Sequence, residues 1–562
     1  MSGSKIRLVL CWHMHQPEYR DLRTGEYVLP WTYLHAIKDY VDMAAHLEAV
    51  PGARAVVNFS PILIEQIQDY SQQLQHYFES HSPPKDPLLA ALVTELDALE
   101  HAERLKLIGN CRKANKLRQI ERYPAFKQLY DISECLLAMP EAVRYINQQF
   151  LIDLVVWYHL AWLGETVKRS DERVQTLIEK GKDFSPDDRC LLVQIIQDIL
   201  TTILPRYKVL AEQGRVELSV TPYAHPIMPL LLDIHSAHEA MPNAPLPDID
   251  GYPGGEERVR WHLVHGLDCF ERTFGFKPQG CWPSEGSVSR QTLEILSEFG
   301  FKWTASGGNV LKNSLRASGQ ETQSIHHPFK LDGLPIQCFF RDDGLSDLIG
   351  FEYSKWHADH AVSDLVHHIE NIGHFLKQDG VVSIIMDGEN AWEYFPKNGF
   401  YFLSALYQRL AEHPDIELTT FSECLKNNLP VVMLNKLVAG SWVYGTFSTW
   451  IGDADKNRGW EMLAEAKQVF DKVVATDQLS TNQCAEAEKQ LAVCEGSDWF
   501  WWFGDYNPGD AVSAFEKQFR LNLENLYRFL SVEPPDYLFH SFATGSGAPD
   551  MGGAMRRGSE EE

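Results

Sequence analysis

Apolar and polar positions along this chain fall into two rhythms. Short β-rich runs recur at Ile6–Trp12, Ala53–Phe59, Val216–Val220, Gln279–Trp282, Lys302–Ala305, Ile336–Phe340 and Val381–Met386. Longer segments of helical spacing lie between most of them. Strands alternating with helices predict a parallel sheet with crossover helices. His13, His15, Glu285, Arg341 and Asp387 stand at or just after the C-terminal ends of these runs. Sites of (β/α) barrels are built at that edge of the sheet. An open doubly wound sheet uses the same edge, so the pattern alone leaves barrel closure open.

From about 84 to 214 the rhythm changes: glycine is scarce and apolar residues recur at three- and four-residue intervals, as in Leu88-Leu89-Leu92-Leu96-Leu99. This predicts a helical insertion after an early strand. From Leu437 onward no strand pattern is visible. Trp460, Leu463, Lys467, Phe470 and Val474 mark one amphipathic helix, and Phe515, Phe519, Leu523, Leu526 and Leu530 mark another. The expected organisation is a catalytic domain over 1–430, a C-terminal helical domain over 431–542 that completes the site, and a disordered Gly/Ala/Ser-rich tail over 543–562. No internal repeat is visible.

Composition narrows the partners more than the fold. With 562 residues the chain can hold two or three full cores. Its net charge of −26 repels nucleic acid and anionic membranes and suits a neutral substrate, although an acidic surface also keeps a protein soluble. The 10 cysteines show no CxxC pair or regular spacing, so they read as buried reduced thiols rather than a zinc or disulfide framework. Ile6–Trp12 is too short for a signal peptide, and Leu151–Leu163 is interrupted by Asp153 and His159 and shorter than a bilayer span. A cytoplasmic location is the expectation.

Two acidic motifs carry the candidate chemistry: Gly280-Cys281-Trp282-Pro283-Ser284-Glu285 and Met386-Asp387-Gly388-Glu389-Asn390-Ala391-Trp392-Glu393. Each ends a strand-like run and sets a carboxylate beside tryptophan. Two opposed carboxylates are the minimum needed to break a glycosidic bond. A third motif, Trp12-His13-Met14-His15-Gln16-Pro17, places two histidines on one strand face. They suit a zinc ion, sugar hydroxyls or a purely structural role, and no third ligand of recognisable spacing appears.

Taken together these segments resemble glycoside hydrolase family 57. The resemblance rests on His13-Met14-His15-Gln16-Pro17, Val216-Glu217 with Tyr223-Ala224-His225-Pro226, the Glu285 motif, Asp387-Gly388-Glu389, and Gly496-Ser497-Asp498-Trp499. Ser448-Thr449-Trp450-Ile451-Gly452 and the run from Ser497 to Trp502 are similar to its α-amylase and amylopullulanase branch. The resemblance implies an incomplete (β/α)7 barrel with a helical C-terminal domain, acting on α-glucans with retention and without a metal or other cofactor. Glu285 then falls on the nucleophile and Asp387 on the general acid/base. His13, His15, His225 and Asp498 would hold sugar hydroxyls, Asp498 reaching in from the helical domain. Trp282 would wall the site, and Trp499 would offer a stacking face or pack in the core. Arg341 is a further binding candidate. Glu389 would tune Asp387, bind a hydroxyl or pair with Arg341. One departure is Ser219-Val220-Thr221-Pro222, which lacks the glycines common in the second region.

An α-1,4-glucan hydrolase, with α-1,6 cleavage included, is the leading expectation, acting on starch, glycogen or maltooligosaccharides. A 4-α-glucanotransferase or branching enzyme would use the same residues. His13-X-His15 keeps a metal-dependent deacetylase or mannosidase-like enzyme in view. A non-catalytic glycan-binding module would not need paired acids.

Overall fold

The structure is a computed structural model that describes residues 5–376, 379–476, 478–547 and 555–558. At its centre is a 10-stranded sheet. Its strands are β1 (Ile6–Met14), β2 (Ala55–Phe59), β3 (Val216–Val220), β4 (Gly280–Cys281), β5 (Trp303–Ser306), β6 (Phe329–Leu331), β7 (Gln337–Phe340), β8 (Val381–Asp387), β9 (Ile416–Thr419) and β10 (Val432–Leu434). They run in the order β10-β6-β7-β5-β4-β3-β2-β1-β8, with β9 paired to the start of β1. Only the β6–β7 pair is antiparallel.

The parallel run from β7 through β5, β4, β3, β2 and β1 to β8 curls into an incomplete barrel. Among the described residues no strand ladder joins β7 to β8. That seam is spanned instead by Asp342 N–H donating to Ser383 O (2.8 Å) and Arg341 Nε donating to Ile385 O (2.8 Å). The seven predicted strands are all present. The runs Phe329–Leu331, Ile416–Thr419 and Val432–Leu434 are not legible in the sequence, because three or four residues carry too few alternations to read.

Side-chain alternation explains how the barrel makes a site. Val9 and Cys11 of β1, Val56 of β2, Trp282 and Trp303, and Ile385 of β8 pack together in one buried cluster. His13 and Asp387 continue the same parity at the C-terminal ends of β1 and β8, and they are register partners across that pair. The interior is therefore apolar below and polar above. Glu217 breaks that rule at the opposite end of β3, where it is satisfied by Trp303 Nε1 (2.6 Å) and the Ser422 N–H (2.9 Å).

Between β2 and β3 lies the expected helical stretch, ending in the long helix Pro186–Glu212, whose first turn is closed by a Ser185/Asp188 capping box. After β10 the regular elements are helical, with Ala454–Val474, Thr481–Cys494, Ser497–Trp502 and Gly509–Phe529 the main ones. Glu495 pins this part to the barrel helix Gly255–Phe274. It accepts from Arg258 Nε (2.8 Å) and Tyr252 OH (2.6 Å) and pairs with His262 Nε2 (2.7 Å), all fully or nearly fully buried. Removing one partner of such a buried network costs about 3–5 kcal/mol. The network also fixes the residues that follow: Gly496 bridges to Pro226, and Ser497 N–H donates to His225 O at 2.9 Å.

The tail expectation needs correction where the chain is described. Ser546 and Gly547 donate backbone bonds to Asp505 O and Asn507 O, and residues 555–558 pack on the barrel, because backbone and side-chain partners there replace lost solvent bonds. Residues 548–554 and 559–562 lie outside the described residues. The cysteines are unpaired; Cys135 and Cys190 are exposed rather than buried. Among the described residues no helix is long and apolar enough to cross a membrane.

Candidate active site

A cavity of about 650 Å³ opens at the C-terminal edge of the sheet. It collects His13, His15, His225, Glu285, Asp387, Glu389 and Asp498, of which His15 and Asp498 touch although 483 residues apart in the chain. The helical insertion contributes Asn115 and Trp162, and the C-terminal helices contribute Trp501, Trp502 and Phe515.

Glu285 sits just after β4 with φ 58° and ψ 22°, the left-handed region that costs a non-glycine residue energy. Gly286 follows at φ +59°, where a Cβ would come within 2.8 Å of the Trp282 ring. His225 is held at φ 60° as well. Strained backbone of this kind persists where surrounding contacts over-determine it, and it clusters at functional sites. Around Glu285 those contacts are three. Trp442 N–H donates to Glu285 O (2.9 Å) and its indole Nε1 to Glu285 Oε2 (3.0 Å), while Ser497 Oγ donates to Oε1 (3.3 Å).

Asp387 ends β8 and accepts from Asn390 Nδ2 at 2.9 Å. The glycine after it packs closely: a Cβ on Gly388 would lie 2.1 Å from Met14 Sδ, and its N–H donates to His13 O at 2.7 Å. Glu389 accepts from Gln16 Nε2 (3.2 Å) through Oε1, and its buried Oε2 has no hydrogen-bond partner among the described residues.

The three histidine rings form a stack. His15 and His225 lie 3.7 Å apart at 13°, with His13 5.2 Å from His225. Asn58 orients His13: its Nδ2 donates to Ser219 Oγ (3.0 Å), so its Oδ1 accepts from His13 Nδ1 (2.7 Å). His13 Nε2 then meets His225 Nε2 at 3.2 Å, and His225 Nδ1 meets Ser497 Oγ at 2.8 Å. His15 spans Ser60 Oγ (2.8 Å) and Asp498 Oδ1 (2.7 Å).

Electrostatics follow from this crowding. Burial, then the charges of Asp498 and Asp387, push Glu285 up to about 8, against the donors Trp442 and Ser497. Asp387 is raised by burial, against its bond from Asn390. Glu389 is raised well above the carboxylate range by burial and by the neighbouring Asp387 and Asp39 charges. Burial pushes His13 down to about 3 and lowers His225, so both rings are neutral near pH 7. The nucleophile and acid/base roles implied by the sequence require Glu285 ionised and Asp387 protonated. In the free cavity burial raises both carboxyls, so that split is not yet set.

Three of the candidates drawn from the sequence, Trp282, Arg341 and Trp499, do not line this cavity. Trp282 is fully buried in the barrel interior, beneath His13 and against Trp442 at 5.3 Å. Apolar barrel neighbours hold it there, so it backs the site rather than walling it. Arg341 is buried and donates to Asp343 (2.9 Å), Asp347 (2.7 Å) and Ile385 O, so it anchors β8 rather than pairing with Glu389. Trp499 is buried, and its Nε1 donates to Val493 O at 2.7 Å; of its two readings, core packing is the one observed.

The model of the family described as glycosyl hydrolase family 57 matches residues 9–437. This chain belongs to glycosyl hydrolase family 57. A search of curated protein sequences finds no match. Among solved structures, the fold is shared with a branching enzyme of Pyrococcus horikoshii at 15% identity, with 98% of this chain and 99% of that one covered and a TM-score of 0.56. An α-amylase of Thermotoga maritima matches at 13% identity over 95% of each chain, TM-score 0.57. A 4-α-glucanotransferase of Thermococcus litoralis matches at 14% identity over 96% of this chain and 63% of that one, TM-score 0.50.

In this family-57 chain several residues in and behind the cavity carried no signal in the sequence. Trp442 follows no motif and meets Glu285 through a segment paired at Gly440 with Val288. Asn58 lies inside an apolar strand, where interior parity with Val56 was its one available cue. Trp31 and Trp162, 5.9 Å apart, meet only after the insertion folds back.

Proposed function

We propose that this protein cleaves α-1,4-glucans with retention, through a glycosyl-enzyme on Glu285 with Asp387 as general acid/base. The carrying observation is that both carboxyls line one cavity at the same sheet edge, close enough for the Asp387 charge to bear on Glu285. Glu285 attacks the anomeric carbon as the glycosidic C–O bond breaks, and Asp387 gives its proton to the departing oxygen. Water or a sugar hydroxyl then loses a proton to Asp387 and displaces Glu285. The raised affinity of Asp387 for its proton suits the first half, and the donors Trp442 and Ser497 steady the negative charge on Glu285 before attack. Sugar hydroxyls would take over contacts now made among His13, His15, His225, Asp498 and Gln16, which line the cavity. Glu389, held by Gln16, lines the cavity beside Asp387. The names of the amylase, branching and glucanotransferase structures support a glucan substrate.

The test is incubation with starch, pullulan, maltooligosaccharides and α-galactosides, with products resolved by size and anomeric form. The α-anomer should appear first from maltooligosaccharides. Products only shorter than the substrate mean hydrolysis, and longer ones mean transfer by the same intermediate. First release of the β-anomer would remove the retaining assignment.

One arrangement favours a second reading. His15, His225 and Asp498 bring their ligand atoms within 4.8 Å of one another, a set chemically able to take a zinc-like cation. The Nδ1 atoms of the two histidines are held by Ser60 and Ser497, and the carboxylate pair supplies a complete route without Lewis acid chemistry. Exhaustive chelation should therefore leave the rate unchanged. Stoichiometric zinc in the purified protein, with activity lost on its removal and regained on its return, would establish the metal-dependent reading instead.

A further inference from the structure

Residues 555–558 form a short strap across the barrel mouth. Gly558 O accepts from Asn309 Nδ2 (2.6 Å) and the Tyr444 N–H (3.0 Å), and Gly558 N–H donates to Asp347 Oδ2 (2.9 Å). Arg557 Nη2 donates to Glu352 (3.1 Å), its guanidinium 5.3 Å from the Phe351 ring. Arg556 donates to Asn507 Oδ1 (2.8 Å) and lies over Tyr506 and Trp501. Asn507 in turn donates to the carbonyls of Trp501 and Trp502, both of which line the main cavity. The seat is close-fitting: a Cβ on Gly558 would come within 2.8 Å of Arg341 Nη1.

Met555 is 8% exposed and, with Arg556, borders a small second cavity that shares Asp387, Trp442 and Trp501 with the main one. Asp387, as acid/base, faces the departing oxygen, so the space next to it on this side belongs to the leaving group and to the incoming acceptor. Two indole faces there offer what a glucosyl ring stacks on, yet the methionine side chain and the arginine occupy that end.

We propose that the strap 555–558 closes the cleft on the leaving-group side of Asp387 and so limits how much glucan can extend past it. This rests on the acid/base assignment of Asp387 made above. A tail that merely lay on the surface would not satisfy both backbone groups of Gly558 or bury Met555 beside a reacting carboxyl.

The experiment compares the full chain with a chain ending at Ala554 and with the full-length double variant Arg556→Ala, Arg557→Ala. Each is given maltotriose, maltoheptaose and amylose, with calorimetric binding measured for the first two. Opening the cleft should raise kcat/KM on long over short substrate by at least about threefold and shift cleavage toward larger released fragments, with maltotriose turnover within about twofold of the parent. The double variant reports even if the shortened chain does not fold. Unchanged length preference and product pattern in folded variants would overturn the strap proposal. So would equal loss on long and short substrates, which would make the strap part of the catalytic geometry. A full chain that neither binds nor cleaves any of these glucans would overturn the proposed function itself, and the strap's role with it.

Discussion

Glu285→Gln should lose at least about 10⁴-fold in turnover while gaining stability. The amide keeps the shape of the side chain but cannot form the glycosyl ester, and loss of a covalent nucleophile removes the route rather than slowing one step. The stability gain follows from linkage. Burial and the charges of Asp498 and Asp387 raise Glu285 from the ordinary carboxylate range to about 8. A carboxyl whose folded value lies above its unfolded value leaves stability intact below the unfolded value and withdraws it as pH rises toward the folded one. Full ionisation in the folded state then costs the fold up to roughly 3–5 kcal/mol above about pH 8. The amide never pays that cost. Thermal melting should therefore place the variant a few degrees above the parent at pH 8, with the gap closing below about pH 4.5. Near-normal activity would remove Glu285 from the nucleophile role, and a variant less stable at pH 8 would show that Trp442 and Ser497 need the charge more than burial opposes it.

How far the sequence leads differs from residue to residue. Strand positions were legible because buried parallel strands are continuous apolar runs, and the polar residues that end them announced the working edge. Glu285, Asp387, His13, His15, His225 and Asp498 all came together in one cavity. What periodicity does not encode is the depth of a side chain below a surface. Trp282 and Trp442 lie in contact, yet one is sealed in the barrel and the other donates to Glu285 from a segment bridged to the barrel only at long range, Val288 to Gly440. Arg341 looked available for the same reason: its partners Asp343 and Asp347 sit on the next turn, where sequence shows charge but not pairing. Composition pointed to a loose tail, since glycine and alanine offer little side chain to pack. Gly558 is held by its backbone groups, which composition does not weigh.

Asp387→Ala should separate the two halves of the reaction. On natural glucans, whose leaving oxygen needs a proton, turnover should fall by about 10²–10⁴-fold. On an aryl glycoside whose phenolate departs unprotonated, the first step should survive, giving a burst of phenolate followed by slow release of the sugar from Glu285. The vacated space admits a small anion, so azide should restore turnover and yield a glycosyl azide of retained α configuration. The pH profile gives an independent reading. In the parent, kcat/KM needs one proton on the coupled carboxyls and the nucleophile free of its own, so the rate should rise from acid pH and fall again when the last proton leaves. Both carboxyls are raised, Glu285 to about 8, so the acid limb should lie well above the ordinary carboxylate range. The alanine variant has no acid to deprotonate, so its profile on the aryl substrate should lose the alkaline fall. It should also rise at lower pH than the parent, because one of the charges opposing ionisation of Glu285 is gone. If the alkaline fall persists and azide restores nothing, the proton is supplied by another group. Glu389 is then the residue to replace next, since it lines the same cavity two positions along the chain.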